Sequence, residues 1–250
     1  MRRFFVPSDA IADGVVRIAG RDARHIIRAL RMGPGDKLSI VDGTGREYTA
    51  CIARTAETSV DAVIEEERGP GPSEPHVSLT LAQGIPKLDK MDFIVQKCTE
   101  IGVSGFVPVL TERSVARTSA DSADRRVGRW QRIASEAAKQ AGRGAVPSVE
   151  GIRGLESALS ELASQGMLLI MPWELERERS LRAALADANF ETGTGIAVIA
   201  GPEGGFSHYE VELAKRHGAL TVTLGPRILR TETAGLAVAT VIMYELGEFG

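Results

Sequence analysis

The segment that decides the fold is Ile196–Leu246, IAVIAGPEGGFSHYEVELAKRHGALTVTLGPRILRTETAGLAVATVIMYEL. Its first half predicts a strand, a loop and a helix. Ile196–Ala200 is a short run of apolar residues, as expected of a strand that is buried on both faces. The run ends in the glycine-rich loop 201–205, GPEGG. A helix follows, because Ser207 and Glu210 have the S-x-x-E spacing of a capping box.

The second half repeats this arrangement. A strand is predicted at Leu220–Leu224, followed by the loop 224–234 and a closing helix from about Gly235 to Leu246. That helix is apolar almost all round, which is typical of a deeply buried helix or of one in an interface. Two glycine-bearing loops at the carboxyl ends of adjacent parallel strands form a ligand crevice in an open α/β sheet.

The composition of the second loop favours a binding site over two ordinary strand–helix turns. Its residues include Arg227, Arg230, Glu232 and two threonines, whereas a structural turn needs far fewer polar groups. The glycines alone would leave both interpretations open. The first loop lacks the G-x-G-x-x-G pattern and the P-loop lysine, so neither a Rossmann nor a Walker nucleotide site is expected.

These two loops carry a resemblance to a known family. IAGPEGGFS followed by LGPRILRTETA resembles the signature of the SPOUT superfamily of S-adenosylmethionine-dependent RNA methyltransferases. More closely, it resembles the bacterial 16S rRNA (uracil-N3) methyltransferase family. Further blocks similar to that family occur along the chain in the same order, namely MRRFFV, HIIRALRMGPGD, KLDKMDFIVQKCTEIGV, ERSVAR and EAAKQAGR. GPEGG alone would be a weak signal, but blocks from one end of the chain to the other make the resemblance specific.

Composition is that of a globular protein of one large or two unequal domains. The chain has 250 residues, 43% of them apolar, and a net charge of −3. Cys51 and Cys98 lie far apart, which argues for a reducing compartment and against a disulfide framework or a zinc site. Neither a signal peptide nor a membrane-spanning run is visible, so we expect a cytoplasmic protein with no membrane partner and no metal.

Positive charge is concentrated in two segments despite the acidic total. Residues 1–31 hold seven arginines against three aspartates, and residues 111–143 hold eight Arg and Lys against four Asp and Glu. The apolar positions of Asp22–Arg31 have helical spacing, and the opposite face of this predicted helix is almost entirely positive. A solvated face normally mixes both signs, so contact with RNA phosphates is favoured over simple solvation.

The chain divides into two predicted domains. Short strands at 37–41, 47–53 and 59–65, separated by tight turns, indicate a small β-barrel. Residues 65–75 are charged and then rich in proline and glycine, with nothing to bury, and mark the boundary. Beyond it, strands and helices alternate, which implies a mostly parallel sheet with helices on both faces. The further predicted elements are strands at 76–83, 106–110 and 167–171, helices near 91–101, 127–138 and 155–163, and a mobile polar loop at 111–122.

The resemblance gives this α/β chain a more specific architecture. It implies a PUA-like β-barrel RNA-binding domain at 1–70, followed at 76–250 by a SPOUT methyltransferase domain. That second domain would hold the mostly parallel sheet, a C-terminal trefoil knot, the cofactor site and a homodimer interface.

The resemblance implies that three loops hold S-adenosyl-L-methionine. The implied cofactor residues are Met171, Pro172, Gly201, Pro202, Glu203, Gly204, Leu224, Gly225, Ile228, Leu229 and Thr233. Arg230 and Glu232 are the implied catalytic residues, Arg230 acting electrostatically on the reacting base and Glu232 as proton acceptor or orienter. A role for Glu232 in satisfying backbone groups of its loop remains an alternative.

The expected RNA partner is 16S rRNA or the assembled small ribosomal subunit. The candidate RNA-binding residues are Arg2, Arg3, Arg24, His25, Arg28, Arg31, Lys87, Arg113 and Arg143. Two other functions remain open: a SPOUT ribose 2′-O-methyltransferase, and a non-catalytic RNA-binding or ribosome-assembly factor that kept the fold. The presence of both loops and of the dedicated N-terminal barrel favours the uracil methyltransferase.

Overall fold

The chain folds into two units, each of which is discontinuous in sequence. The computed structural model describes residues 1–69, 71, 73–114, 120–187 and 195–249. Met1–Glu74 and Ala138–Val146 together make the first unit, and Pro75–Ala137 and Pro147–Gly250 make the second. The return of residues 138–146 to the first unit is a feature that the predicted division at residues 70–76 does not contain.

A curled six-stranded sheet forms most of the first unit. Its strands are β1 Arg2–Phe5, β2 Ile11–Ala12, β3 Val15–Ala19, β4 Lys37–Val41, β5 Glu47–Thr55 and β6 Ser59–Arg68. They are ordered β1-β4-β5-β6-β3-β2, with β1 parallel to β4 and the other neighbours antiparallel. The pairing of β5 with β6 shifts register at Thr49/Ala50 and at Ile52/Arg54. Because bulges bend strands and increase their twist, these shifts account for the curl of the long pair.

The arginine-bearing helix of this unit begins two residues earlier than predicted. Helix α1, Gly20–Arg24, continues directly into a wider π-helical turn at His25–Ala29. Arg31, at φ +55, lies in the left-handed region and ends the helical segment. Ala23 and Ile26 are fully buried, which confirms the predicted apolar face.

Glu74 attaches the segment 142–146 to the first unit. Its carboxylate accepts hydrogen bonds from the backbone N–H groups of Gly144 and Ala145 and pairs with Arg143 at 3.1 Å. The side chains of Arg143 and Glu74 are only 4% and 10% exposed. The N–H of Val146 also donates to the carbonyl of Gly43 at 2.9 Å. The prediction that residues 65–75 bury nothing is therefore wrong, because a paired carboxylate with satisfied oxygens can lie in the interior.

A parallel sheet forms the centre of the second unit. Its strands are β7 Leu79–Gly84, β8 Gly105–Leu110, β9 Ser148–Val149, β10 Arg153–Gly154, β11 Leu168–Pro172, β12 Ile196–Ala200 and β13 Leu220–Val222. The order is β10-β8-β7-β12-β11-β13, with β9 also beside β8. Every strand pair described in this sheet is parallel.

Helices cover both faces of that sheet, as predicted. They are α2 Lys90–Glu100, α3 Ala120–Ala141, α4 Leu155–Ser164, α5 Leu181–Asp187, α6 His208–Arg216 and α7 Thr231–Glu245. One core contains Val198 and Ala200 of β12 together with residues of α2, α3, α5 and α7. The other contains Ala197 and Ile199 together with residues of α4 and α6. Successive residues of β12 thus pack into opposite cores, which is why the whole strand is apolar.

Two boundaries differ from the predictions in ways that matter for function. Helix α7 begins at Thr231 rather than Gly235, because Arg230 adopts an extended N-cap conformation and its carbonyl accepts from the N–H groups of Thr233 and Ala234, each at 2.8 Å. Helix α3 begins at Ala120, so the last residues of the predicted loop 111–122 are helical, while 115–119 lie outside the described residues.

Among the helices described, none has the length and apolarity needed to cross a bilayer.

Candidate active site

Four loops meet at one edge of the parallel sheet. Strands β7, β12, β11 and β13 are consecutive neighbours, and all four run parallel. Their carboxyl ends therefore lie side by side, and the loops that follow them begin at the same edge. Such an edge is where open α/β sheets bind ligands.

A buried glutamine connects three of the segments at this edge. The Nε2 of Gln83, at the end of β7, donates to the carbonyls of Gly84 at 2.9 Å and Gly201 at 3.2 Å and to Thr231 Oγ1 at 3.1 Å. Thr231 Oγ1 donates in turn to the Gly201 carbonyl at 2.6 Å. Gln83 and Thr231 are 0% and 5% exposed. This network fixes the start of the GPEGG loop to the first turn of α7.

Pro202 of the GPEGG loop lies so close to Gly84 that no side chain fits at residue 84. A Cβ built there would lie 2.6 Å from Cδ and 2.8 Å from the backbone nitrogen of Pro202. Contacts this short force the backbone itself to move, so only glycine allows β7 and the GPEGG loop to come so close. The position of the loop therefore depends on residue 84.

Lys90 in the first turn of α2 forms ion pairs with two carboxylates of the edge. Its Nζ lies 3.0 Å from Oε1 of Glu203, in the GPEGG loop, and 3.2 Å from Oε2 of Glu232, in the first turn of α7. The backbone N–H of Lys87 also donates to both oxygens of Glu203, at 3.1 and 3.2 Å. Arg230 lies farther away, with Nη1 4.0 Å from Glu232 Oε1 and a side chain that is 84% exposed.

The pKa values of this cluster keep all three of its members charged. The hydrogen bond from its own backbone N–H, followed by the Lys90 ammonium, holds the pKa of Glu232 below its ordinary value. Burial raises the pKa of Glu203, but hydrogen bonds from its own backbone, Lys90 and the Lys87 N–H outweigh burial, so that this pKa also lies below the ordinary value. Hydrogen bonds to Glu203 and Glu232 raise the pKa of Lys90.

Glu176 organises the loop that follows β11. Its Oε2 accepts from Thr221 Oγ1 at 2.6 Å, and its Oε1 accepts from the N–H groups of Arg177, Glu178 and Arg179 at 2.9, 2.9 and 3.4 Å. These donors, Thr221 foremost, lower the pKa of Glu176 to about 2. The anion thereby joins the end of β11 to β13, beside the predicted cofactor residues.

The structure brings the predicted cofactor residues to this single edge. Met171 and Pro202 are buried, Gly201, Pro172, Leu224 and Leu229 are partly exposed, and Glu203, Gly204, Gly225, Ile228 and Thr233 are exposed. Ile228 is 90% exposed and lies beside the partly exposed Leu229. Bare glycine backbone and uncovered aliphatic side chains beside carboxylates fit a nucleoside-type cofactor, whose apolar ring and ribose hydroxyls need such partners.

The predicted RNA-binding residues fall into two groups. Arg2, Arg24, His25, Arg28 and Arg31 are exposed on the first unit, and Lys87 and Arg113 are exposed on the second. Within the second unit, Arg113 Nη1 donates to the carbonyl of Gly204 at 2.7 Å, so this residue also supports the GPEGG loop.

Two arginines predicted to bind RNA have partners inside the first unit. Arg143 is 3% exposed and pairs with Glu74, so the predicted RNA contact of Arg143 is wrong. Arg3 donates to the carbonyl of Gly142 and lies 3.6 Å from Glu47, with a side chain that is 26% exposed. Part of its guanidinium is thus engaged within the first unit, and its predicted RNA contact stays a prediction.

Sequence reasoning missed Gln83, Lys90 and Glu176. A glutamine inside an apolar strand segment and a lysine in the first turn of a helix, where acidic residues are favoured, were the available signals. Nothing in the sequence indicated the role of Glu176. Among the described residues, no group of three or more His, Cys, Asp or Glu side chains could hold a metal ion.

Comparison with protein families gives the class of this fold and site. Residues 73–243 match the family described as RNA methyltransferase domain, and residues 18–65 match that described as RNA methyltransferase PUA domain. The chain is thus an RNA methyltransferase with an appended PUA-like unit.

Individual relatives define the family within that class. The ribosomal RNA small subunit methyltransferase E of Bacillus subtilis is 31% identical over 91% of this chain and 89% of its own length. A crystal structure of the enzyme of that name from Neisseria gonorrhoeae, bound to S-adenosyl methionine, is 34% identical with a TM-score of 0.80 over 100% of both chains. A putative methyltransferase of Legionella pneumophila in complex with the same cofactor is 27% identical with a TM-score of 0.71 over 97% of both chains. This protein belongs to the ribosomal RNA small subunit methyltransferase E family, which confirms the SPOUT resemblance; the trefoil knot stays a prediction.

Proposed function

We propose that the protein transfers a methyl group from S-adenosylmethionine to N3 of a uridine in the 16S RNA of the small ribosomal subunit. The observation that carries this proposal is the full-length correspondence with the cofactor-bound Neisseria gonorrhoeae enzyme. The site agrees with it, because the glycine loops, the exposed Ile228, and Arg230 and Glu232 at the start of α7 all follow strands that end at one sheet edge. A cytoplasmic location follows from a ribosomal RNA substrate in a bacterial-type enzyme.

S-adenosylmethionine supplies a methyl group that its sulfonium already activates, so the protein must mainly orient the uridine and manage one proton. The residues expected to hold the cofactor are Met171, Pro172, Gly201, Pro202, Glu203, Gly204, Leu224, Gly225, Ile228, Leu229 and Thr233. Gln83 and Thr231 keep the GPEGG loop in place for this task.

Arg230 and Glu232 are the proposed catalytic residues. The N3 proton of uridine is weakly acidic and must leave when N3 accepts a methyl group. The exposed guanidinium of Arg230 can stabilise the negative charge that develops on the base. Glu232, held as an anion by its own backbone N–H and by Lys90, can accept or orient the departing proton.

Access to N3 sets the form of the substrate. N3 lies on the Watson–Crick edge, so the target uridine must be unpaired or flipped out of its helix. The exposed arginines of the first unit, Arg2, Arg24, Arg28 and Arg31, are proposed to bind the surrounding phosphates. Each phosphate contact that is lost should lower the slope of log K against log salt by roughly 0.7–0.9.

A homodimer is proposed from the uncovered apolar side chains of α2 and α7, helices that pack against each other. Phe93 of α2 is 45% exposed, and Val241 and Tyr244 of α7 are 39% and 67% exposed. A second copy that covers these residues would explain why α7 is apolar almost all round. Sedimentation at micromolar concentration should show a dimer, and a monomer would contradict the proposal.

The catalytic assignment is tested by Glu232→Gln in a labelled-methyl transfer assay on small subunits that lack the modification. Removal of a general base typically lowers turnover about 10²–10⁴-fold. Glu245→Gln is the matched control, because Glu245 lies on the same helix but pairs with Arg182 at 2.9 Å, away from the loops. Undiminished turnover of Glu232→Gln would remove Glu232 from the mechanism.

A further inference from the structure

Among the described cations, only Lys90 contacts a carboxylate of the GPEGG loop and also a carboxylate of α7. Since Nζ lies 3.0 Å from Glu203 and 3.2 Å from Glu232, the two carboxylate oxygens are at most about 6 Å apart. Like charges at this separation disfavour each other's ionised form. The ammonium between them offsets that repulsion and allows both to remain charged.

Three charged groups face Glu232 from the elements around it. Lys90 comes from α2, Glu203 from the loop after β12, and Arg230 from the residue that precedes α7. Arg230 is 84% exposed and 4.0 Å away, whereas the side chain of Lys90 is 30% exposed and makes the shorter contact. Lys90 is therefore the stronger electrostatic partner of Glu232, and Arg230 is free to turn toward a substrate.

We propose that Lys90 is a positioning residue of the methyl-transfer reaction: its ammonium joins Glu203 of the cofactor loop to Glu232 of α7 and holds Glu232 anionic and fixed beside the cofactor. This role rests on the proposed function of Glu232. Lys90 acts through that carboxylate and needs no contact with the RNA base. The side chains of Lys90 and Glu232 are 30% and 20% exposed, and ion pairs that solvent reaches contribute little to folding stability. If the role of Lys90 were only structural, turnover would not depend on the titration of Glu232.

The first test measures the Glu232 carboxyl directly in the free protein. Carbon-13 NMR of labelled glutamate side chains follows its titration, and Glu232→Gln identifies the resonance by its loss. Lys90→Met should raise the pKa of Glu232, because an opposite charge within 4–6 Å favours the ionised carboxylate and the variant removes it. Lys90→Arg should retain the low pKa. The control Lys97→Met removes an ammonium of the same helix that pairs with Glu100 at 2.8 Å, and it should change nothing at Glu232.

The second test reads the same shift in turnover. If Glu232 must be anionic, the acidic limb of kcat against pH should move to higher pH in Lys90→Met. Turnover at a pH below that limb should then fall roughly tenfold for each pH unit that the limb moves, and it should recover above the limb. An unchanged Glu232 titration, or an active enzyme whose acidic limb does not move, would overturn the role of Lys90 alone. A wild-type protein that transfers no methyl group would instead overturn the proposed function, whatever the titration shows.

Discussion

Replacing Thr231 by valine tests the network that ties the GPEGG loop to α7. The substitution preserves shape and removes two hydrogen bonds of the hydroxyl, to the Gly201 carbonyl at 2.6 Å and from Gln83 Nε2 at 3.1 Å. The Gly201 carbonyl still accepts from Gln83 Nε2 at 3.2 Å, and Gln83 Nε2 also still donates to the Gly84 carbonyl, so neither group loses every hydrogen-bond partner. At about 1 kcal/mol for each lost bond, we expect a loss of about 1–2 kcal/mol.

Calorimetry of unfolding and of S-adenosylmethionine binding would measure this effect. For a chain of this size the loss corresponds to a Tm lower by roughly 2–8 °C. If cofactor binding must supply about 1 kcal/mol to order the loosened loop, the affinity for the cofactor should fall about fivefold. Thr240→Val is the control, because Thr240 of the same helix donates only to the Leu236 carbonyl one turn back, at 2.8 Å. If the two variants match in both measurements, the network does not hold the loop.

Three further outcomes are expected. Arg143→Met should destabilise the protein by about 3–5 kcal/mol in urea unfolding, since it leaves the carboxylate of Glu74 buried without its cation; a loss below 1 kcal/mol would contradict the buried pair. Gly84→Ala should lower the free energy of unfolding by about 1–3 kcal/mol and weaken cofactor binding, because the new Cβ would clash with Pro202. Gly128→Ala on α3, where a Cβ meets open space, should raise the free energy of unfolding by up to about 1 kcal/mol. Equal effects of the two substitutions would refute the close approach at Gly84. Because the pKa of Glu176 is lowered to about 2, the ionised carboxylate stabilises the fold fully above the ordinary glutamate pKa, and this stabilisation is lost as pH falls toward 2. The Tm difference between wild type and Glu176→Gln should therefore shrink over that pH range. A constant difference would contradict this expectation.

Local signals in the sequence predicted the elements that they encode directly. The apolar run Ile196–Ala200 is β12, and the capping box of α6 forms as expected, with Ser207 Oγ accepting from the Glu210 N–H at 3.2 Å and Glu210 Oε2 from the Ser207 N–H at 2.9 Å. The start of α7 was missed because its first turn is rich in threonine, which local propensity favours less in helices. The N-cap geometry of Arg230 and the hydrogen bond of Thr231 to Gly201 outweigh this low helix propensity, so the helix begins at Thr231.

Contacts between distant segments were outside the reach of sequence patterns. Gln83 donates hydrogen bonds to Gly201 and Thr231, which lie 118 and 148 positions farther along the chain, and no sequence periodicity encodes such pairs. The same limit explains Arg143, since the sequence does not distinguish an arginine that meets RNA phosphate from one that meets a buried Glu74. The loops that the sequence singled out do lie side by side at one sheet edge, and their role as a site stays a prediction. Lys90, which links two of the segments at this edge, emerged only from the fold.

The most direct measurement of the proposed function is nucleoside analysis after methyl transfer. Small ribosomal subunits that lack the modification would be incubated with the protein and S-adenosylmethionine labelled in its methyl group, and the RNA digested to nucleosides for mass spectrometry. We predict labelled 3-methyluridine. Label on a ribose 2′-oxygen would contradict the assignment of N3, and no label in the presence of intact cofactor and RNA binding would indicate an assembly factor that kept the fold without the chemistry.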